Sequence, residues 1–503
     1  MSGGVSNDTA SRAAAAAPVA LLAFVTMLML VALAVRNGLV ADDTLRLWAG
    51  ASTAADGQVS IGRIVAGYPT LPFLTTTFFA WLVPAGAPAP ALVAAGLFSL
   101  IAAFCFLSFR KAGLPYAVAV IATLLIAFHP ALLRAVVAGP ADMFLAVFLF
   151  MLSLALYELR ARSGTSEVMH VGLALMALAF AHPVGAAFAF ASIPFLAFAV
   201  RPPLVASSAL NVVVALIFPT LFMLAAFLYV SWVFPGDGWS FFAAPAQSLS
   251  LWTAAVARIF GNGLFGIPAI DAALTMGAAI VVGAPVAVAM LVLVRRRRPL
   301  VAPAAVFVAT AISATAICVA SGFFGDPTAI VLAVPVLAAT VMIRIPVVRE
   351  HVAVVIALLV VGWLGGFVSL AWVDPITVNR LHAAFEPMAS ERLDTIAAGG
   401  AFIGRDGVLA DTDNAPALVL GRGRAHGILG PESEAFALAV LFARVDTPFI
   451  AMPDPQSPIG ANDRLDRAFP SLFRDGMAGY RVIYQNNTWR LFEKMKDIKV
   501  SKQ

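Results

Sequence analysis

Two adjacent carboxylates, Asp42 and Asp43, follow the first long apolar run at residues 17–35, and a third, Asp142, opens another apolar stretch just after Gly139-Pro140. Ionised side chains at a membrane boundary are costly unless they face a polar cavity, which makes them the first candidates for chemistry. A carboxylate there can take a proton from an attacking hydroxyl, and a cation beside it can offset charge building on a departing phosphate. Cations are at hand in Arg46, Arg63, Arg134 and Arg258, and His182 interrupts an apolar run in Ala181-His182-Pro183. Each residue also has a plainer reading. Asp42, Asp43 and Asp142 are placed to cap helices, Arg46 to pair one turn on in a helix 43–50, the arginines to snorkel to headgroups, and His182 to be a hydrogen-bonded core histidine. His129 has a sufficient structural cause in Pro130 beside it.

The elements that must position these residues are set by composition. Of 503 residues, 61% are hydrophobic and 12% charged, and the mean hydropathy is +0.94. No soluble interior hides that much apolar surface, so part of the solvent is lipid and the chain is a polytopic membrane protein. The net charge of +5 fits Lys and Arg held in cytoplasmic loops, not a nucleic-acid partner. Cys105 and Cys318 lie inside apolar runs, where a thiol packs as a small hydrophobe, which argues against disulfides and sulfur-bound metal. The first apolar run is too long for a signal peptide and lacks a cleavage site, so it reads as a retained span after a disordered cytoplasmic segment 1–16.

A span needs about 20 apolar residues. The predicted fold is mainly α, with about eleven spans at 17–36, 88–109, 115–136, 141–158, 169–181, 184–200, 209–234, 265–294, 300–322, 327–345 and 352–373. The two that flank His182 are short enough to form a hairpin. With the N-terminus cytoplasmic, the inner loops hold Arg110, Lys111, Arg160, Arg162, Arg201, Arg295 to Arg298, Arg344 and Arg349. Residues 37–87 form the first extracytoplasmic loop, in which the proline-bracketed stretch 69–84 predicts an interfacial or re-entrant helix. Trp239 and Trp252 mark a second interfacial loop on the outer leaflet. After residue 373 the composition becomes that of a soluble domain, and 374–503 predicts a small extracytoplasmic α/β unit. It has helices near 377–398 and 432–444, strands at 407–410, 416–420 and 448–452, and a closing hairpin, 480–484 with 489–492, around an Asn-containing turn. The Asp411-Thr412-Asp413 triplet reads as a turn and the Arg-rich stretch 421–426 as a solvated face; Asn486-Asn487-Thr488 matches a glycosylation sequon by chance.

The layout resembles the C-type (GT-C) membrane glycosyltransferases, and within them the aminoarabinose transferase, protein O-mannosyltransferase and rhizobial galacturonosyltransferase group. Asp42-Asp43 falls where that group has an acidic pair, Tyr68-Pro69-Thr70-Leu71-Pro72 where an interfacial helix starts rich in proline, and Arg134 to Met143 is similar to its Arg-x(n)-Asp-Met segment. The pair there is usually Asp-Glu; Gly67-Tyr68 stands for a common Lys before the prolines, and His182 for an intramembrane Lys. The resemblance covers residues 17–200 at the level of motifs. It implies an inverting transfer of a sugar from a polyprenyl-phosphate donor to an envelope lipid, glycan or protein acceptor on the outer face of the inner (plasma) membrane, the soluble domain being periplasmic. In that reading Asp42 is the base, with Asp142 as its partner and Asp43 beside it. Arg63 and His182 hold the donor phosphate, ahead of Arg46 and Arg134, and Asp42 and Asp142 are candidates to share a divalent metal ion. No nucleotide-binding glycine motif is found. The competing reading is a non-catalytic membrane protein, a transporter or a scaffold of envelope-polymer assembly.

Overall fold

The computed structural model describes residues 4–36, 42–57, 69–84, 87–233, 267–322, 324, 327–347, 349–373, 391–431 and 433–495. The chain is mainly helical, with a small sheet near its C-terminus. It divides into two compact units. The first holds residues 1–33, 65–72 and 91–383, the second 34–64, 73–90 and 384–503. The first-loop segments expected to belong with the membrane helices thus fold largely with the C-terminal domain.

In the first unit α1 (Gly4–Arg36) starts at Gly4, so residues 4–16, expected to be disordered, are helical. Among the described residues seven helices are long and apolar enough to cross a membrane, or up to nine if two bent pairs each count as one span. The bends were not legible as such. Helix α5 (Tyr116–Ala127) meets α6 (Pro130–Ala138) at 54°, and α11 (Pro268–Gly283) meets α12 (Pro285–Leu293) at 83°. Each second half begins on a proline, which lacks the N–H that would continue the ladder but suits a first helical turn. The predicted spans 169–181 and 184–200 are α8 (Thr165–Ala181) and α9 (Pro183–Ala199), 17 residues each and broken at His182. Cys105 and Cys318 are buried thiols.

Arg160, Arg162, Arg201 and Arg344 gather at one end of this unit. Glu158 accepts from Arg344 at 2.6 Å and lies 3.7 Å from Arg162. The Arg160 guanidinium donates to the carbonyl of Val200, and the Arg201 N–H to Ser163 Oγ at 3.1 Å. Helix α7 (Pro140–Arg162) leads from Asp142 to this end, α8 returns to His182, and α14 (Ala333–Arg344) runs the same way as α7. Asp142 and His182 therefore occupy the end opposite the arginines. Packing between the helices rests on small residues and short polar links, such as Ser153 Oγ to Thr340 Oγ1 at 3.0 Å, as expected where lipid removes the hydrophobic drive.

The second unit contains a five-stranded mixed sheet, ordered β2-β1-β3-β5-β4, built from β1 (Val408–Leu409), β2 (Ile428–Leu429), β3 (Phe449–Pro453), β4 (Tyr480–Gln485) and β5 (Trp489–Lys494). The first three strands pair in parallel, whereas β5 pairs antiparallel with both β3 and β4. Alternate side chains serve two cores: Ala451, Leu491 and Trp489 on one face, Ile450, Met452 and Phe492 on the other. The hairpin is as predicted, its turn closed by the Asn486 side chain, which accepts from the N–H groups of Thr488 and Trp489. Of the helix expected at 377–398, residues 391–401 are helical (Glu391–Ala401), and 377–390 lie outside the described residues. The run at 416–420, expected as a strand, is a helix, Pro416–Arg422, with proline at its start and Gly423 at φ +77° closing it. Helix α2 (Asp42–Ala55) adds Ala49 to the core beside this helix, and the Asp56 carboxylate accepts from the N–H groups of Ala425 and His426 at 2.8 and 3.1 Å.

The Asp411 triplet does more than turn the chain. Buried Asp411 takes two hydrogen bonds from the Arg464 guanidinium at 2.8 and 2.6 Å, and Asp413 a further one at 2.9 Å. Next to it, Asp463 is fully buried. Its Oδ1 caps a short helix through the N–H groups of Leu465 and Asp466, while Oδ2 has no partner. Burial, reinforced by the Asp411 and Asp466 charges, pushes its carboxyl up to about 7. The folded domain then keeps a proton that the unfolded chain, at the ordinary 3.8, has released. Stability should be fullest below about pH 4 and fall as pH rises through about 7, by on the order of 1.4 kcal/mol per pH unit within that window. Urea midpoints of the β3–β5 amides, followed by hydrogen exchange in the full chain, should show this fall, and Asp463→Asn should flatten it.

Candidate functional site

Three of the residues singled out from the sequence meet in the first unit. Asp142 lies in the first turn of α7, and Arg134 two turns earlier in chain order, on α6. What brings them face to face is Gly139, at φ 124° and ψ −166°, a conformation closed to side-chain-bearing residues, followed by Pro140 at the first helical position. The Arg134 guanidinium forms an ion pair with Asp142 Oδ2 and donates to Thr328 Oγ1 at 2.9 Å. Thr328 belongs to a fully buried 3-10 helix, Pro327–Leu332, that leads into α14. From the break between α8 and α9, His182 Nε2 reaches Asp142 Oδ1 at 3.2 Å. The side chains of Arg134, Asp142 and His182 are only 12%, 10% and 16% exposed.

The tautomer of a neutral His182 ring follows from its partners. Its Nδ1 accepts the N–H of Val184 at 3.1 Å as the N-cap of α9, so a neutral ring carries its hydrogen on Nε2 and donates it to Asp142. Asp142 is thus held by two donors, one on each oxygen, and by the N-terminal dipole of its own helix. Taking up a substrate proton would cost it one of those partners. The geometry makes it the residue that orients Arg134 and His182 instead of a free base. Nor do its surroundings fit a divalent ion, because a guanidinium already occupies one carboxylate oxygen. Among the described residues no group of three or more His, Cys, Asp and Glu could hold a metal.

The other expected residues belong to the second unit or lie outside the described residues. Arg46 is exposed on α2, a helix of the second unit, and of Asp42 and Asp43 only the helical backbone is described. That helix, foreseen at 43–50, runs on to Ala55. Arg63, Arg258 and the loop with Trp239 and Trp252 lie outside the described residues. Thr328 was not foreseen; its one signal is a hydroxyl at the start of an apolar run after Asp326-Pro327. His129 is a buried cap like His182, its Nδ1 accepting from Ala131 N–H at 3.3 Å.

Compared with protein-family models, with curated proteins and with solved structures, the chain matches none. The site is therefore interpreted on its own geometry. Removing one partner of a buried ion pair leaves the other charge uncompensated, at a cost of about 3–5 kcal/mol, whereas replacing both by apolar groups is often neutral. Thermal unfolding in detergent should accordingly show Asp142→Leu and Arg134→Met each strongly destabilising, and the double variant more stable than either single one. Additive losses would mean that the pair is not coupled.

Proposed function

We propose that the chain is an inverting glycosyltransferase that moves a sugar from a polyprenyl-phosphate carrier to an acceptor at the outer face of the membrane. The observation that carries this reading is the meeting of Arg134, Asp142, His182 and Thr328 from four elements at the end of the unit opposite Arg160, Arg162, Arg201 and Arg344. Basic ends face the cytoplasm in multi-span proteins, so the cluster is assigned to the outer side. Counting both bent pairs and both 17-residue helices as crossings makes eleven, with the C-terminal unit outside.

In this mechanism the cluster is the phosphate pole. A guanidinium has five N–H donors and suits bidentate contact with phosphate oxygens, so Arg134, held by Asp142 and Thr328, is assigned to the donor phosphate. His182 adds its Nε2–H. Asp142 keeps both donors aimed, and Thr328 fixes the guanidinium plane. The acceptor hydroxyl attacks the anomeric carbon opposite the carrier phosphate, the bond from that carbon to the phosphate oxygen breaks, and the phosphate departs with the bonding pair. A carboxylate outside the cluster takes the hydroxyl proton, and Asp42 is assigned that role. One base suffices for inversion, and no covalent intermediate forms.

A second reading has one observation in its favour. The breaks at His129 and at Ala284 lie together: the buried His129 ring faces the backbone of Gly283 and Gly362, and Phe128 O accepts from Trp363 Nε1 at 2.8 Å. Paired helix breaks of this kind form solute sites in transporters.

Asn caps a helix as well as Asp but cannot accept a proton, so Asp42→Asn separates the plain role from the chemical one. In proteoliposomes supplied with polyprenyl-phosphate sugars, the wild type should transfer sugar. Asp42→Asn should lose at least about 100-fold in rate while folding normally, the usual worth of general-base catalysis. Wild-type turnover by that variant would remove Asp42 from the mechanism. Solute uptake without sugar transfer would favour the second reading.

A further inference from the structure

A cavity of about 190 Å³ lies within the second unit, bounded by α2, by the end of the apolar helix Thr70–Leu82 with the segment after it, and by the C-terminal end of the Pro416–Arg422 helix. Its polar lining is Trp48, Ser52, Asp56, Trp81 and Arg424. Four of these are donors or can act as donors: two indole N–H groups, one hydroxyl and one guanidinium. None of the four makes a hydrogen bond or ion pair with a described residue. Trp48 is nonetheless more than nine-tenths buried as a residue. The one acid in the lining, Asp56, is spent on the backbone amides of Ala425 and His426. The carbonyls of Val419 and Leu420 that end the helix are taken by the N–H of Gly423. What is left uncommitted is donor-rich and cationic, and it suits an acceptor-rich anion.

One wall says where such an anion comes from. Leu74, Phe78, Trp81 and Leu82 are all exposed, at spacings that put them on one face of the Thr70–Leu82 helix. In a chain with several membrane-spanning helices, an apolar face of this kind is satisfied by acyl chains, and a Trp at its edge marks headgroup depth. The stripe ends at Trp81, which also lines the cavity. The volume fits a headgroup and not the tails.

We propose that this cavity binds the headgroup of one anionic membrane phospholipid, its phosphate on Arg424, Ser52 and the Trp48 N–H, and its chains along the Leu74–Phe78–Trp81–Leu82 face. The site shares no residue with the Arg134–Asp142–His182 cluster, and its test does not depend on sugar transfer.

The full chain would be placed in nanodiscs of equal phosphatidylglycerol and phosphatidylcholine, extracted, and examined by native mass spectrometry for retained lipid. The wild type should keep one phosphatidylglycerol in preference to phosphatidylcholine. Arg424→Gln should lower that preference about tenfold, the worth of one charged hydrogen bond, while Arg424→Lys should keep most of it. Trp48→Phe, which preserves packing and removes only the N–H, should weaken retention several-fold. Glycerol 3-phosphate in solution should compete poorly. Unchanged preference in Arg424→Gln would overturn the proposal. So would full displacement by glycerol 3-phosphate, since a soluble phosphate would then be the ligand.

Discussion

Away from water, the attraction between Arg134 and Asp142 decides the arrangement of whatever carries them. Both charges are largely withdrawn from solvent, and each is tolerable only because the other is there. Satisfying the pair fixes a bent helix, the start of α7, the α8–α9 break through His182 and the buried 3-10 helix through Thr328. Gly139 makes this possible, because a reversal with positive φ brings an arginine and an aspartate eight positions apart into contact. An arrangement of this cost needs a use, and a guanidinium and an imidazole N–H held by one carboxylate are well suited to a phosphate oxygen.

The same logic of committed and uncommitted groups separates the rest of the molecule into structure and candidate function. Asp411 and Arg464 spend their hydrogen bonds on each other, and Asn486 spends its own on a hairpin turn. His182 is intermediate: one nitrogen caps a helix, and the other reaches into the cluster. The second unit takes in two pieces of the first loop, so that Ala49 is in its core and Asp56 closes one of its loops.

Much of this was legible in the sequence because the relevant physics is local. Apolar runs gave the helices, alternation gave the hairpin, and unexpected polar residues at the ends of apolar runs gave Arg134, Asp142 and His182. The failures are just as physical. Hydropathy counts length and is blind to direction, so it could not see the bends at His129-Pro130 and Ala284-Pro285. A five-residue apolar run such as 416–420 has no period to distinguish strand from helix; the proline at its start and Gly423 after it were the usable signals. Asp411 looked like a turn residue because its partner is 53 positions away. That Arg134 pairs with Asp142 was not legible either, because the contact depends on a glycine conformation.

Sugar transfer and solute transport make opposite demands on where a ligand acts. The most direct test is hydrogen–deuterium exchange of the reconstituted chain with and without polyprenyl phosphate. The account predicts slowed exchange in peptides spanning residues 134–143 and 178–186, around the ion pair and His182, with none at the breaks near residues 128–130 and 283–285. Protection confined to those breaks, or no protection around Arg134, Asp142 and His182, would contradict it.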